Sequence, residues 1–514
     1  MFIEELKNVL NEQKKLTENG AIGYATSGKA LVDLNFATSS LRDKDKEYIL
    51  KMFIKAFEED KNLAIKWLFF LRDIRGGMGE RRTFRIIAKR LAESYPVEFG
   101  ALLQYIPEFG RWDDLVYLLE ADLRYDIEEK IYQIIINQLN EDMANAMSNK
   151  PISLLAKWLP SRNASSHRTR ALARKVIYGL EISPKEYQKM LSKLRRYLNI
   201  VEVDMCNNNW NSIDFIAVSS NANLKYRNAF LRHVPEAYSN FIKNVSDGKE
   251  SMHVGNLYPH EIVKKYKNGG YYGGISEEIK PELEAMWILL PRDLITKKTI
   301  VVSDGSGSMY SSYGKYVAPI DVAESLAIYF SESCVGEFKD KYITFSERPQ
   351  LIDFSNASSL REKIEIIRKH DEVANTNIEA VFDLILQTAI RGKMCQGDLP
   401  EVVLIISDME FDAATTGVFG CSFSDSKPVD QTLFDNISEK YQNQGYKLPK
   451  LVFWNVDSRT NVVPIQENDL GIALLSGYSP NILDMVVSGK LDPYEVLVER
   501  LLSDRYKDIE FNID

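Results

Sequence analysis

The sequence predicts two domains of different class: an all-α helical-repeat domain over residues 1–290 and a doubly wound α/β domain over residues 291–514. Three observations carry this expectation. The length, 514 residues, exceeds what one hydrophobic core usually organises. From about Asp45 to Tyr266 apolar residues recur at helical spacing. After about Arg292, short β-branched or aromatic runs alternate with amphipathic segments.

In the first part, Ile127, Ile131, Ile135 and Leu139 fall at intervals of four and form one stripe of a helix. Pro96, Pro107, Pro151, Pro160 and Pro184 punctuate such segments, giving about ten helices with short links. The run AIKWLFFLRD is too short to span a bilayer and reads as a buried helix. The first twenty or so residues are expected to be peripheral. The glycine-rich stretch Lys267–Ser276 is a natural junction. Beyond it, TIVVSD, KYITF, EVVLIISD and KLVFWNV read as strands, with VAESLAIYFSESC and NIEAVFDLILQTAI as helices between them. Continuously apolar strands alternating with helices are the pattern of a parallel sheet covered on both faces.

Composition excludes several classes. With 45% apolar and 27% charged residues the chain is neither disordered nor collagenous. A net charge of −9 argues against a surface that attracts nucleic acid or membrane everywhere. Cys206, Cys334, Cys395 and Cys421 are widely and irregularly spaced, which suggests neither a zinc knuckle nor a disulfide framework and fits a reducing cytosol. The start, MFIEELKNVLNEQKK, lacks the apolar core of a signal peptide, so a cytoplasmic protein without membrane contact is expected.

The chemistry concentrates where TIVVSD runs into DGSGSM. Asp304, Ser306 and Ser308 alternate there, beyond the carboxyl end of a strand, where open parallel sheets bind ligands. All three are hard oxygen donors, suited to Mg²⁺ or Mn²⁺ and unsuited to zinc. Thr376 opens a later helix and Asp408 ends another apolar strand. Taken alone, DGSGS also fits an ordinary turn in which Asp304 caps the next helix. Taken together, the three motifs, in this order and spacing, resemble the metal-ion-dependent adhesion site of von Willebrand factor A domains over roughly the last 215 residues. The resemblance implies a Rossmann-like fold in which Asp304, Ser306 and Ser308 hold a divalent cation directly, with Thr376 and Asp408 direct or through water. Such a cation seeks an acidic oxygen from a ligand.

The segments RDIRGGMGERRTFR, PEFGRWDDLVYLL, LLAKWLPSRNASSHRTRALARK and FLRHVPEAYSNFI resemble the TROVE module of Ro-type RNA-binding proteins and an uncharacterised sister branch. That resemblance implies a HEAT-like, ring-forming array that binds small noncoding RNA or single-stranded RNA ends, and that presents RNA to a separate exoribonuclease. Composition supports a basic site independently. Between Pro151 and Ile200, eleven Lys or Arg face only Glu181 and Glu186, a net +9. Lys157, Arg162, Arg170, Arg174 and Lys175 are phosphate candidates, and Trp158 and His167 could stack or orient bases. The Ro resemblance points to Ser166, His167 and Arg168 in particular. A second cluster, Arg72, Arg75, Arg81, Arg82 and Arg85, fits a structural role as well as binding, because Asp73 and Glu80 lie within it.

Other signals are discounted. GYATSGKA (Gly23–Ala30) nearly spells a phosphate-binding loop, but Ala30 stands where a metal-binding hydroxyl belongs, and a polar helix is expected before it. No nucleotide cofactor follows. The five histidines are scattered and no nucleophile signature is present, so a binding protein is expected rather than an enzyme. A metal-dependent ribonuclease using Asp304, Asp408 and Glu410 would need a denser carboxylate cluster. The rival class is an adaptor whose cation captures an acidic residue of a partner protein.

Overall fold

The structure is a computed structural model that describes residues 14–267, 274–292, 295–310, 317–345, 349–370, 377–412, 415–416, 427–428, 433–464, 472–482 and 492–512. Helices dominate the first part and a mixed sheet the second. The compact units, however, do not follow a linear division at residue 290. One contains the chain up to Glu59 together with Leu257–Leu501; the other contains Asp60–Asn256 and Leu502–Asp514.

The α/β unit begins with an antiparallel pair, β1 (Lys14–Leu16) and β2 (Ile22–Tyr24). Its main sheet contains β3 (Thr299–Asp304), β4 (Lys341–Phe345), β5 (Gln350–Asp353) and β6 (Val402–Ser407). A short antiparallel pair, β7 (Thr415–Thr416) and β8 (Lys427–Pro428), precedes β9 (Lys450–Asn455) and β10 (Ile472–Ser476), which complete the sheet. The strand order is β10-β9-β6-β3-β4-β5, parallel throughout except for β5 against β4. Every residue of β3, β6 and β10 is buried, which is why these segments read as unbroken apolar runs. On one face, Ile300, Val302, Val403, Ile405 and Phe453 share a core with the Ile378–Arg391 and Leu433–Asn443 helices. The Pro319–Ser333 helix, almost wholly buried, packs on β3, β4 and β6, and its Phe330 ring lies 4.9 Å from Trp454.

β1 is exposed, whereas the segment from Ala21 onward is integral to this unit. Ala21, Val32 and Phe36 join the core beneath the sheet. Tyr24 exchanges backbone hydrogen bonds with Val463, the Asn455 side chain donates to the Phe36 carbonyl at 2.8 Å, and the Ser39 amide donates to Ser476 Oγ at 2.9 Å. A strand, β2, therefore leads into Gly23–Ala30 and includes its first two residues, where a polar helix was expected, because Ile22–Tyr24 pairs with β1 and bridges to Val463.

The helical unit ranges from the four-residue Leu155–Trp158 helix to the 23-residue Tyr125–Met147 helix, on which Ile127, Ile131, Ile135 and Leu139 are indeed buried. In the Lys61–Arg72 helix everything from Leu63 to Arg72 is buried, and Lys66 Nζ donates to the Tyr506 carbonyl at 2.5 Å. The tail thus returns to this unit: Arg505 and the Tyr506 hydroxyl both meet the buried Asp73. Gly77 is required by close approach, since a Cβ there would stand 2.1 Å from the Phe70 carbonyl oxygen. No helix of the described residues is long and apolar enough to cross a membrane.

His260, in the Pro259–Val263 helix, is buried beside the Tyr258 and Tyr478 rings. Burial, reinforced by the Arg42 guanidinium, pushes its pKa down to about 3. The unfolded chain, with an imidazole near 6.5, therefore binds more protons below that value, and stability falls as pH drops from about 6.5 towards 3. His260→Phe should flatten this acid limb in thermal melts taken across that window.

Candidate metal and nucleic-acid sites

The first site lies at the carboxyl ends of two adjacent strands. In register, Ser303 of β3 faces Ile406 of β6, which brings Asp304 beside Ser407 and Asp408. Ser407 Oγ donates to Asp304 Oδ2 at 2.6 Å, and the Ser306 amide donates to Asp304 Oδ1 at 2.8 Å. Ser306 and Ser308 hydroxyls sit 3.0 Å apart, and Ser308 also donates to Asp408. That oxygen spacing matches two neighbouring ligands of an octahedral ion with bonds of about 2.1 Å. Asp304 and Asp408 are both buried, at 1% exposure. Burial lifts the pKa of each above the usual carboxylate range, and the charge of Asp304 lifts that of Asp408 further. Two crowded carboxylates beside two hydroxyls favour added positive charge, so the donor set fits a hard divalent cation.

Thr376 lies outside the described residues; the helix it was expected to open starts at Ile378, with Asn377 Oδ1 accepting from the Ala380 amide at 3.0 Å. Among the described residues no three His, Cys, Asp or Glu side chains converge as a metal cluster. Glu410 does not join the pair because its oxygens are committed elsewhere. They accept from the Arg459 and Thr460 amides, both at 2.8 Å, from the Thr460 hydroxyl at 2.9 Å and from the Glu18 amide at 2.8 Å. This holds the loop after β9 so that Arg459 reaches Asp408 Oδ2 at 3.1 Å and Glu18 at 2.8 Å. Sequence reasoning missed Arg459. Its position shortly after a strand was the available signal, since this loop lies at the ligand-binding end of the sheet.

The second site is in the helical unit. A cleft of about 790 Å³ is lined by Arg81, Arg82, Arg85, Tyr117, Trp158 and Arg168, among others. Part of each sequence cluster therefore meets at one place. The Arg111 guanidinium lies 4.7 Å from the Trp158 ring centre, while Arg85 and Arg168 lie 4.7 and 5.2 Å from that of Tyr117. Burial and the neighbouring Arg81 and Arg72 charges lower the Arg111 pKa, a sign of local cationic crowding. Ser166 lines the cleft and caps the His167–Gly179 helix, accepting from the Thr169 amide.

The window charge of +9 is nevertheless moderated by partners outside it. Glu120 accepts from Arg168 at 2.7 and 2.9 Å, and Glu128 pairs with Lys175. Arg170 folds back onto the carbonyls of Ala164 and Ser165, and Arg195 onto those of Ala156 and Leu159. Lys157 remains near Trp158, with Nζ 6.0 Å from the ring centre. Arg162, His167 and Arg174 are exposed, but are not among the residues lining the cleft. In the second cluster, Arg72 and Arg85 share the buried Asp114, whose pKa they hold down, so these two are structural anchors. Arg168–Glu120 is a bidentate pair with Arg168 mostly exposed, on the order of 1 kcal/mol.

A family profile described as a domain of unknown function, DUF7788, matches residues 298–505. Another domain of unknown function, DUF2828, matches residues 17–124 and 178–290. The chain is 29% identical over 522 residues to uncharacterized protein L728 of Acanthamoeba polyphaga mimivirus, spanning 94% of this chain and 86% of that protein. Among solved structures, proximal thread matrix protein 1 from the mussel byssus aligns at a TM-score of 0.24 and 14% identity, over 38% of this chain and 47% of that one.

Arg459→Gln removes a cation from the buried carboxylate pair, so its melting temperature in chelator should fall by about 1–3 °C, at roughly 1–2 °C per kcal/mol for a unit above 250 residues. Millimolar Mg²⁺ should raise the wild-type melting temperature and restore part of the Arg459→Gln loss. Asp304→Asn should abolish the Mg²⁺ response in the same calorimetric scan.

Proposed function

We propose that the protein is an RNA-binding scaffold of the Ro type, with a TROVE-like helical array and a von Willebrand factor A-like domain of doubly wound, Rossmann-like topology. One observation carries this reading: the 790 Å³ cleft gathers arginines from two distant segments around two aromatic rings. Guanidinium groups meet phosphates bidentately, and exposed aromatic faces accept unpaired bases. A cleft lined by Arg81, Arg82 and Arg168, with the half-buried Trp158 and Tyr117 rings in its wall, suits single-stranded RNA ends or the loops of a small structured noncoding RNA. No chemistry on the RNA is required of this cleft, and degradation would fall to a separate exoribonuclease.

In the α/β unit, Asp304, Ser306 and Ser308 would hold Mg²⁺ or Mn²⁺, with Asp408 and Thr376 completing the set. The bound cation would supply an electron-poor site for an acidic oxygen. This hydroxyl-rich donor set also favours a second reading, an adaptor that captures a partner's Asp or Glu. Chelator distinguishes the two, since it should release a protein partner and leave RNA in place. The proposal sets the protein in the cytoplasm.

Gel-shift titration of the full chain with single-stranded RNA tests the main reading. Affinity should fall with salt at a slope of about 0.7 per phosphate contacted. Arg81→Glu combined with Arg168→Glu should weaken binding at least tenfold. Trp158→Ala should cost about 1–3 kcal/mol if one base stacks there. Absence of any shift at low salt overturns the reading.

A further inference from the structure

A second cavity, of about 550 Å³, lies wholly within the α/β unit, between the Ala25–Ala30 loop and one face of the Lys46–Glu59 helix. Lys51 and Lys55, one turn apart on that face, line it together with Lys15 of β1 and Tyr48. We propose that this cavity binds a small phosphate-bearing molecule.

The charges support this assignment. Like charges at i and i+4 on a helix oppose one another unless an anion lies between them. Neither Lys51 nor Lys55 has a carboxylate within ion-pair distance among the described residues. The two carboxylates that also line the cavity are turned to the backbone. Asp33 accepts from the Ser27 amide at 2.7 Å and from the Thr26 hydroxyl, and Glu59 accepts from the Leu31 amide at 3.2 Å. They shape the loop, with Asp33 close enough to feel the Lys55 charge, but neither forms an ion pair with Lys51 or Lys55. Lys15 adds a third ammonium, steadied by the Thr460 carbonyl. Tyr48 accepts from Asn461 Nδ2 at 2.8 Å, which leaves its hydroxyl proton to donate.

Three ammonium donors suit a multiply charged oxyanion better than a single carboxylate. The volume is in the range of small-molecule sites, about 300–1,000 Å³, and exceeds what an inorganic phosphate alone would fill. The site is not a nucleotide-type phosphate loop. Lys29, the lysine of GYATSGKA, points instead to the Tyr494 ring, 5.0 Å from its centre. The Gly28 and Lys29 amides are spent on Thr26 and Ser27 hydroxyls. Recognition comes from helix side chains, not from loop amides.

Isothermal titration of the full chain with inorganic pyrophosphate, at matched ionic strength and without divalent cation, tests the proposal. Saturable binding is expected, weakened at least tenfold by Lys51→Gln with Lys55→Gln. It should be unchanged by Lys29→Ala and by Arg81→Glu with Arg168→Glu. Both Lys51 and Lys55 are exposed, and circular dichroism melts verify that the double variant keeps its fold. No saturable binding overturns the assignment, as does equal binding by the Lys51/Lys55 variant. Loss on changing Lys29 or the arginine cleft would also overturn it, by placing the anion elsewhere.

Discussion

Two carboxylates buried side by side are the constraint around which the α/β unit is arranged. Parallel pairing of β3 with β6 brings Asp304 and Asp408 together at their carboxyl ends, out of water. Isolated buried charge is expensive, so the groups bonded to these carboxylates donate a proton or carry a positive charge. Ser407, Ser306 and Ser308 supply the donors, and Arg459 supplies the charge. Arg459 in turn is placed by its own loop, which Glu410 gathers through the Arg459 and Thr460 amides while also accepting from the Glu18 amide. The N-terminal segment is thus tied to the site through a carboxylate that has no free oxygen for a ligand.

Much of this was legible in the sequence, and for a physical reason. β3 and β6 are buried on both faces, so TIVVSD and VVLIISD announce themselves without tertiary information. The DGSGSM turn is equally local. What escaped notice depends on pairing between distant residues. Tyr24 bonds to Val463 and Ser39 to Ser476, contacts more than 430 residues apart that leave no periodic trace. β10, whose GIALLSG context is short and glycine-flanked, and the antiparallel edge strand β5 were likewise unread. Arg459 was missed because its partner, Asp408, lies on a different strand end, so only its place after β9 hinted at it.

Charge was the least faithful sequence signal. A fifty-residue window sums Lys and Arg without knowing that Glu120 and Glu128 come from outside it, or that Arg195 spends its donors on carbonyls. Conversely, Arg81, Arg82 and Arg111 lie outside the window, yet the first two line the cleft beside Arg168 and the third stacks on Trp158. Electrostatic sites are defined by surface, not by stretch of chain, and here folding both dilutes the original cluster and adds to it.

The interleaving of the two units bears on synthesis. At about 5–20 residues per second, the roughly two hundred residues of the helical insertion keep a ribosome busy for about 10–40 seconds. Throughout that time the segment around Ala21, Val32 and Phe36 has emerged with its partner strands not yet made. The helical unit in turn waits for Arg505 and Tyr506, more than 430 residues after Asp73, before that carboxylate is satisfied. Neither unit is continuous in sequence, so each needs segments separated by the other before its core is complete.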